Sequence, residues 1–287
     1  MIKKEELIKL QKGTGLLLST IEKDYVLGLL IWSFTQNRNL NTQWIFKGGT
    51  CLKKCYFKDY RFSEDLDYTV VPEAPIDPAY IHKELSVCSE LLLDHFGLRI
   101  DVDNIEISPF PDKFDRFIQI KVPYRGPLMQ SGSWPRIKLD ITQEEIIVDE
   151  PISLPLIHHY SDIDLCSVQV KCYSLYEIFS EKLRALVERT RPRDLYDVIH
   201  LAELFKTQEL NISLFHEIAI KKFKVRHLEF PKSLNQIPKN SIEALASDWE
   251  SMLSHQVQGL PRIEIYINKL NELFKTPIVN LIDLIEY

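Results

Sequence analysis

Apolar and polar positions along this chain repeat with two periods, and the balance between them shifts past the middle. Residues 21–37 carry apolar side chains at helical spacing. Ser19 with Glu22 three places on supplies a capping box, so the first substantial helix is expected there. The apolar strand WIFK at 44–47 ends on Gly48-Gly49, residues 50–57 read as a short helical segment, and DLDYTV at 65–70 alternates as a strand. Pro72, Pro75 and Pro78 break the chain before a second helix over 79–96. Period two returns at 98–107, 114–124 and 136–142, separated by segments rich in Pro, Gly and Asp, which predicts an antiparallel meander. Residues 149–166 read as an irregular connection. Beyond them the spacing is helical at 174–190, 192–205, 213–224, 241–254 and 262–275. The expected class is α+β, a small mixed sheet with helices followed by a helical C-terminal half, divided softly into 1–165 and 166–287.

Composition narrows the picture only a little. A chain of 287 residues can form one large domain or two modest ones with real cores. The apolar run at 25–34 falls short of the roughly 20 residues that span a bilayer, and the N-terminus has no apolar stretch of signal-peptide length. Five cysteines without a Cys-x-x-Cys pair fit reduced thiols, so a cytoplasmic protein without membrane attachment is expected. Cys51 and Cys55 would share a helical face as two packed thiols. A net charge of −6 argues weakly against a general nucleic-acid coat. It leaves RNA open, because basic residues cluster at Lys182, Arg184, Arg189, Arg191 and Arg193, and again at Lys221, Lys222, Lys224 and Arg226. Each cluster also reads as a solvated helix face.

The densest chemistry lies at 44–70. Asp65 and Asp67 flank Leu66 on one strand, so both carboxylates share a face while Leu66 points into the core. Acids that close repel unless a proton or cation sits between them. Upstream, the Gly48-Gly49 turn opens a helix whose free backbone N–H groups suit phosphate oxygens. Asp101 and Asp103 alternate too, but they follow no glycine turn and read as the wet face of a strand. An anion cradle beside a divalent-metal clamp is equipment for phosphoryl or nucleotidyl transfer.

These residues also carry a resemblance. The Gly48-Gly49-Thr50 turn, then Arg61-Phe62-Ser63-Glu64-Asp65-Leu66-Asp67, and later Glu181-Lys182-Leu183-Arg184-Ala185 and Arg193-Asp194-Leu195-Tyr196-Asp197, resemble the AbiEii/AbiGii-type toxin nucleotidyltransferases of the DNA polymerase β-like superfamily. The resemblance spans roughly residues 20–205. It implies a polymerase β-like core, transfer of a nucleoside monophosphate from a nucleoside triphosphate to an acceptor, often a tRNA 3′ end, and a cognate antitoxin encoded alongside. It implies two Mg²⁺ (or Mn²⁺) ions on Asp65, Asp67 and a third carboxylate, for which Asp140 is the best candidate. In RIKLDI at 136–141 the apolar set alternates against Arg136, Lys138 and Asp140. Asp140 therefore either joins the acids or pairs with Lys138 or Arg136.

Other candidates complete the set. Lys47, Gly48, Gly49, Thr50 and Ser63 are expected to hold nucleotide phosphates, with Arg184 and Arg193 behind them. Lys182 falls within the apolar stripe between Ile178 and Leu186, so its ammonium must snorkel to water or meet an anion, and a triphosphate is the anion expected. Asp194 and Asp197, at i and i+3 in a first turn, complement a helix dipole, and the resemblance adds Asp194 as a residue orienting Lys182 or acting on the acceptor. His158 and His159 read as loop residues away from any metal-ligand spacing. Two rivals stand beside the transferase: a catalytically idle relative that binds RNA or protein, and a phosphohydrolase, which would need no triphosphate cradle.

Overall fold

The structure is a computed structural model that describes residues 1–109, 116–208, 210–231 and 239–279, without the side chains of 239–241. It divides into two compact units, Met1–Glu145 with Pro151–Cys172, and Ile146–Glu150 with Tyr173–Tyr287.

The first unit opens with α1 (Lys4–Thr14), α2 (Leu18–Gln36) and α3 (Arg38–Gln43). The expected capping box at Ser19 does not form. Helix α2 begins at Leu18, three residues earlier than expected, Leu17 caps it without a side-chain bond, and Glu22 turns away to accept the backbone N–H of Leu128 at 2.6 Å. Strand β1 (Trp44–Lys47) runs into α4 (Gly48–Cys51) and a π-helical turn (Leu52–Tyr56), so the helix starts on the glycines themselves. Strand β2 (Asp65–Val70) and α5 (Pro78–Phe96) follow. Asp77 caps α5 through the N–H of Tyr80, and Gly97 closes it at φ +67°, as the proline-first, glycine-last asymmetry predicts.

The expected strand at 98–107 is broken. It consists of β3 (Arg99–Ile100), a 3₁₀ turn (Val102–Asn104) and β4 (Glu106–Pro109), so Asp101 and Asp103 do not alternate on a strand. Strand β5 (Phe117–Arg125) covers most of the expected 114–124, and Phe114 lies outside the described residues. Strand β6 (Arg136–Thr142) has the expected bounds. The stretch expected to be irregular contributes β7 (Ile152–Pro155), and β8 (Gln169–Cys172) follows it. Both are too short for periodicity to reveal them.

Among the described residues these strands form one mixed sheet in the order β3-β5-β6-β2-β1-β8-β7, with β4 also on β5. The β1–β2 and β5–β6 pairs are antiparallel; β2–β6 and β1–β8 are parallel. Leu66 pairs with Leu139, and Leu139 with Ile120, giving one apolar face. Phe34 of α2 packs edge-on to Tyr68, and Trp32 packs on Phe96 of α5, so the two long helices cover that face. The opposite face carries the charge.

The second unit is helical: α6 (Leu175–Arg189), α7 (Pro192–Thr207), α8 (Ile212–Val225), α9 (Lys239–Leu253) and α10 (Ile263–Leu273). Ser174 caps α6 through the N–H of Glu177, and Pro192 opens α7. Phe179, Phe205 and Phe215 form its aromatic centre, with Phe179 and Phe215 stacked at 4.6 Å. No helix among the described residues is long and apolar enough to cross a membrane.

Candidate active site

The pleat sets Asp65 and Asp67 on one face of β2, and the neighbouring strands complete the cluster. In the parallel β2–β6 register Asp67 lies opposite Asp140, and Asp65 opposite Lys138. Register partners share a face, so three half-buried carboxylates and one ammonium stand together. Strand β5 adds Gln119 opposite Asp140, and β1 adds Lys47 opposite Asp67. Of the two fates open to Asp140, the structure shows both at once. It sits beside the β2 acids, and it accepts Lys138 Nζ at 2.6 Å and Gln119 Nε2 at 3.1 Å. Burial pulls the Lys138 pKa down, but the bond to Asp140 and the charges of Asp140, Asp65 and Asp67 outweigh it and raise it above its ordinary value. The cluster therefore holds a cation firmly, as crowded carboxylates must.

The glycine turn abuts these acids. Gly48 has φ +80°, and a Cβ there would sit 3.0 Å from the Asp67 carboxyl carbon. A Cβ on Gly49 would meet the Arg61 guanidinium at 2.5 Å and Ser63 Oγ at 3.3 Å. Both glycines are thus required by close approach, the first also by its backbone conformation. Arg61 is nearly buried, at 3% exposure, and donates to the Phe62 carbonyl at 3.2 Å. The Thr50 hydroxyl donates to the Asp65 carbonyl, which ties α4 to the head of the acidic strand and commits that donor to positioning. Lys23 of α2 pairs with Glu64 at 3.1 Å and steadies the loop from outside. Arg61, Lys138 and Gln119 were not expected as site residues. Arg61 opens the RFSEDLD motif that ends on Asp67, and Lys138 is legible from its alternation with Asp140.

In the helical unit Lys182 meets an anion, and the anions are the chain's own. Its ammonium lies 3.3 Å from Asp194 and 2.9 Å from Asp197, both buried in the first turns of α7. Arg189 reaches Asp194 with two bonds, at 2.8 and 3.1 Å. Burial pushes the Asp194 carboxyl up, yet Lys182 and Arg189 prevail and hold it below its ordinary value. Arg184 is buried, and its guanidinium donates to the Lys222 carbonyl at 2.9 Å. Lys222 is itself fully buried, 2.5 Å from Glu177 and 3.0 Å from Glu181, so the second basic cluster is not wholly a solvated face. His158 lies in a loop, as expected, but it is buried and does stand among possible metal-ligating groups. It pairs with Asp162 at 2.8 Å, and with Cys166 the two form a compact group of metal-ligating type.

A strand, a glycine turn, a short helix and an acidic strand joined by a third carboxylate on a parallel neighbour define a nucleotidyltransferase core. Residues 33–275 match the family described as nucleotidyl transferase AbiEii toxin, type IV toxin–antitoxin system, and the chain belongs to that family. It is a nucleotidyltransferase by that membership. Among solved structures it is similar to MenT4, a nucleotidyltransferase toxin of Mycobacterium tuberculosis H37Rv, with a TM-score of 0.65 at 16% identity over 97% of this chain and 90% of that one. It is also similar to JHP933 of Helicobacter pylori, with a TM-score of 0.58 at 16% identity over 92% and 93% of the two chains. At such identities the likeness speaks for the fold. No curated protein matches the chain in sequence.

Proposed function

We propose that the enzyme transfers a nucleoside monophosphate from a nucleoside triphosphate to the 3′ end of a tRNA, using Mg²⁺ or Mn²⁺ held by Asp65, Asp67 and Asp140. The observation that carries this reading is the register that sets Asp140 opposite Asp67 on the face bordered by Gly48. Three carboxylates offer the hard oxygen donors such ions take, so the residues present fit the group. When bound, the ions would neutralise triphosphate charge and favour ionisation of the acceptor hydroxyl.

The chain's own residues do the rest. Gly48 and Gly49 let phosphate oxygens approach the backbone N–H groups of the turn. Lys47 and Ser63 contribute a charge and a hydroxyl, while Thr50 and Arg61 hold the turn and the acidic strand in register. We assign Lys182 to a substrate phosphate, oriented by Asp194 and Asp197, and Arg184 to holding α6 on α8. Toxicity follows if capped tRNA ends stop translation, and a cognate antitoxin is the partner a type IV system supplies.

Incubation of the protein with total RNA, Mg²⁺ and each labelled nucleoside triphosphate tests this. Label should enter tRNA-sized RNA, and chelation or Asp67→Asn should abolish it. Absence of transfer with every nucleotide would overturn the proposal.

A further inference from the structure

Three of the five cysteines converge in the first unit. Cys51 ends α4, Cys55 lies in the π-helical turn, and Cys172 ends β8, yet their Sγ atoms all lie within 4.8 Å of one another. The parallel pairing of β1 with β8, with Cys172 opposite Phe46, brings the distant residue in. Exposures of 0%, 6% and 0% for Cys51, Cys55 and Cys172 keep the cluster from bulk water. Packing alone asks only for small apolar groups here. Here three thiols from separate segments are instead gathered against one another, and the Tyr56 hydroxyl lies beside Cys172. The buried ammonium of Lys54 acts on Cys55.

We propose that Cys51, Cys55 and Cys172 form a structural site for a thiophilic divalent cation of the zinc type, with the Tyr56 oxygen as fourth donor. Zinc takes four ligands at a closed site, with sulfur at about 2.3 Å, which places tetrahedral sulfurs roughly 3.8 Å apart. The cluster reaches that spacing with small side-chain shifts. Binding displaces the three thiol protons to solvent, leaving three thiolates on one dication and a single net negative charge beside Lys54. The ion would fasten α4, whose first residues are the Gly48-Gly49 turn, to β8. Soft sulfur donors distinguish this site from the oxygen donors of Asp65, Asp67 and Asp140.

The test uses the full chain, reduced and freed of reductant, titrated with Co²⁺ and then Zn²⁺. Wild type should develop intense cobalt–thiolate charge-transfer absorption saturating at one equivalent, which Zn²⁺ then bleaches. Carboxylate-bound cobalt gives no such band, so the result is independent of the transferase reading. Cys172→Ser and Cys55→Ser should lose the band, Cys88→Ser should keep it, and Tyr56→Phe should weaken affinity about tenfold. Saturating Zn²⁺ should raise the wild-type Tm by about 5–10 °C and leave folded Cys55→Ser, checked by circular dichroism, unmoved. A wild type without the band, or Cys55→Ser retaining it at full strength, would overturn the site. An unchanged Tyr56→Phe affinity would overturn the fourth donor.

Discussion

Gly48→Ala is the most informative single substitution at the turn, because two separable costs meet there. Its φ of +80° lies in the left-handed region, where a side chain costs about 1–2 kcal/mol. A stiffer unfolded chain returns about 0.4–1 kcal/mol of that. The new methyl would also lie 3.0 Å from the Asp67 carboxyl carbon and closer still to one of its oxygens. That carboxylate ends a side chain, so it gives way by rotation, at about 0.5–1.5 kcal/mol. The sum is a loss of about 0.5–3 kcal/mol.

Gly97→Ala separates the two costs. Gly97 has φ +67° with nothing within 4 Å of a would-be Cβ, so only the backbone cost applies. Urea unfolding of both variants should therefore place Gly48→Ala about 0.5–1.5 kcal/mol below Gly97→Ala. Nucleotide transfer should fall about 10²-fold in Gly48→Ala, since a carboxylate displaced by about 1 Å is out of place for the chemistry. Gly97→Ala should transfer at the wild-type rate. Equal stabilities for the two variants, or full activity in Gly48→Ala, would refute the close approach of Asp67 to the turn as the reason for glycine.

The helical unit offers further tests. Lys182→Met should lose about 3–5 kcal/mol, because two buried carboxylates, Asp194 and Asp197, lose the ammonium they share; thermal and urea melts measure it, and a neutral result would contradict the pairing at 2.9 Å. The Asp194 carboxyl, held below its ordinary 3.8, binds a proton more readily unfolded than folded. Its stabilisation is complete above that ordinary value and disappears as the pH falls through the depressed folded one. Acid unfolding of Asp194→Asn should accordingly show a shallower limb below about pH 5 than wild type. Glu22 behaves oppositely: burial raises its pKa against the bond from Leu128, so ionisation costs stability at neutral pH. Glu22→Gln should match wild type at pH 4 and exceed it at pH 7, as read from Tm at both.

How legible the site was depends on the range of each interaction. Asp65 and Asp67 share a face because the pleat is a property of consecutive residues, and the diglycine turn announced itself by composition. Lys182 was equally readable, since an ammonium inside an apolar helical stripe demands an anion. Its anions, Asp194 and Asp197, lie only a helix away and were both singled out in the sequence. The broken strand at 98–107 was not legible, because a 3₁₀ turn costs few residues and leaves the alternation nearly intact. The capping box failed for a tertiary reason, as Glu22 had a stronger acceptor role at Leu128.

The sequence by itself determined the helices of the C-terminal half, the acidic strand and the turn that precedes it, since each depends on spacing within a dozen residues. Only the tertiary structure decided that Asp140 stands opposite Asp67, that Lys138 neutralises it, and that Cys172 closes on Cys51 and Cys55. Strand pairing joins positions far apart in the chain. Which strand lies beside which is set by how the apolar faces bury against α2 and α5, and no local period carries that information.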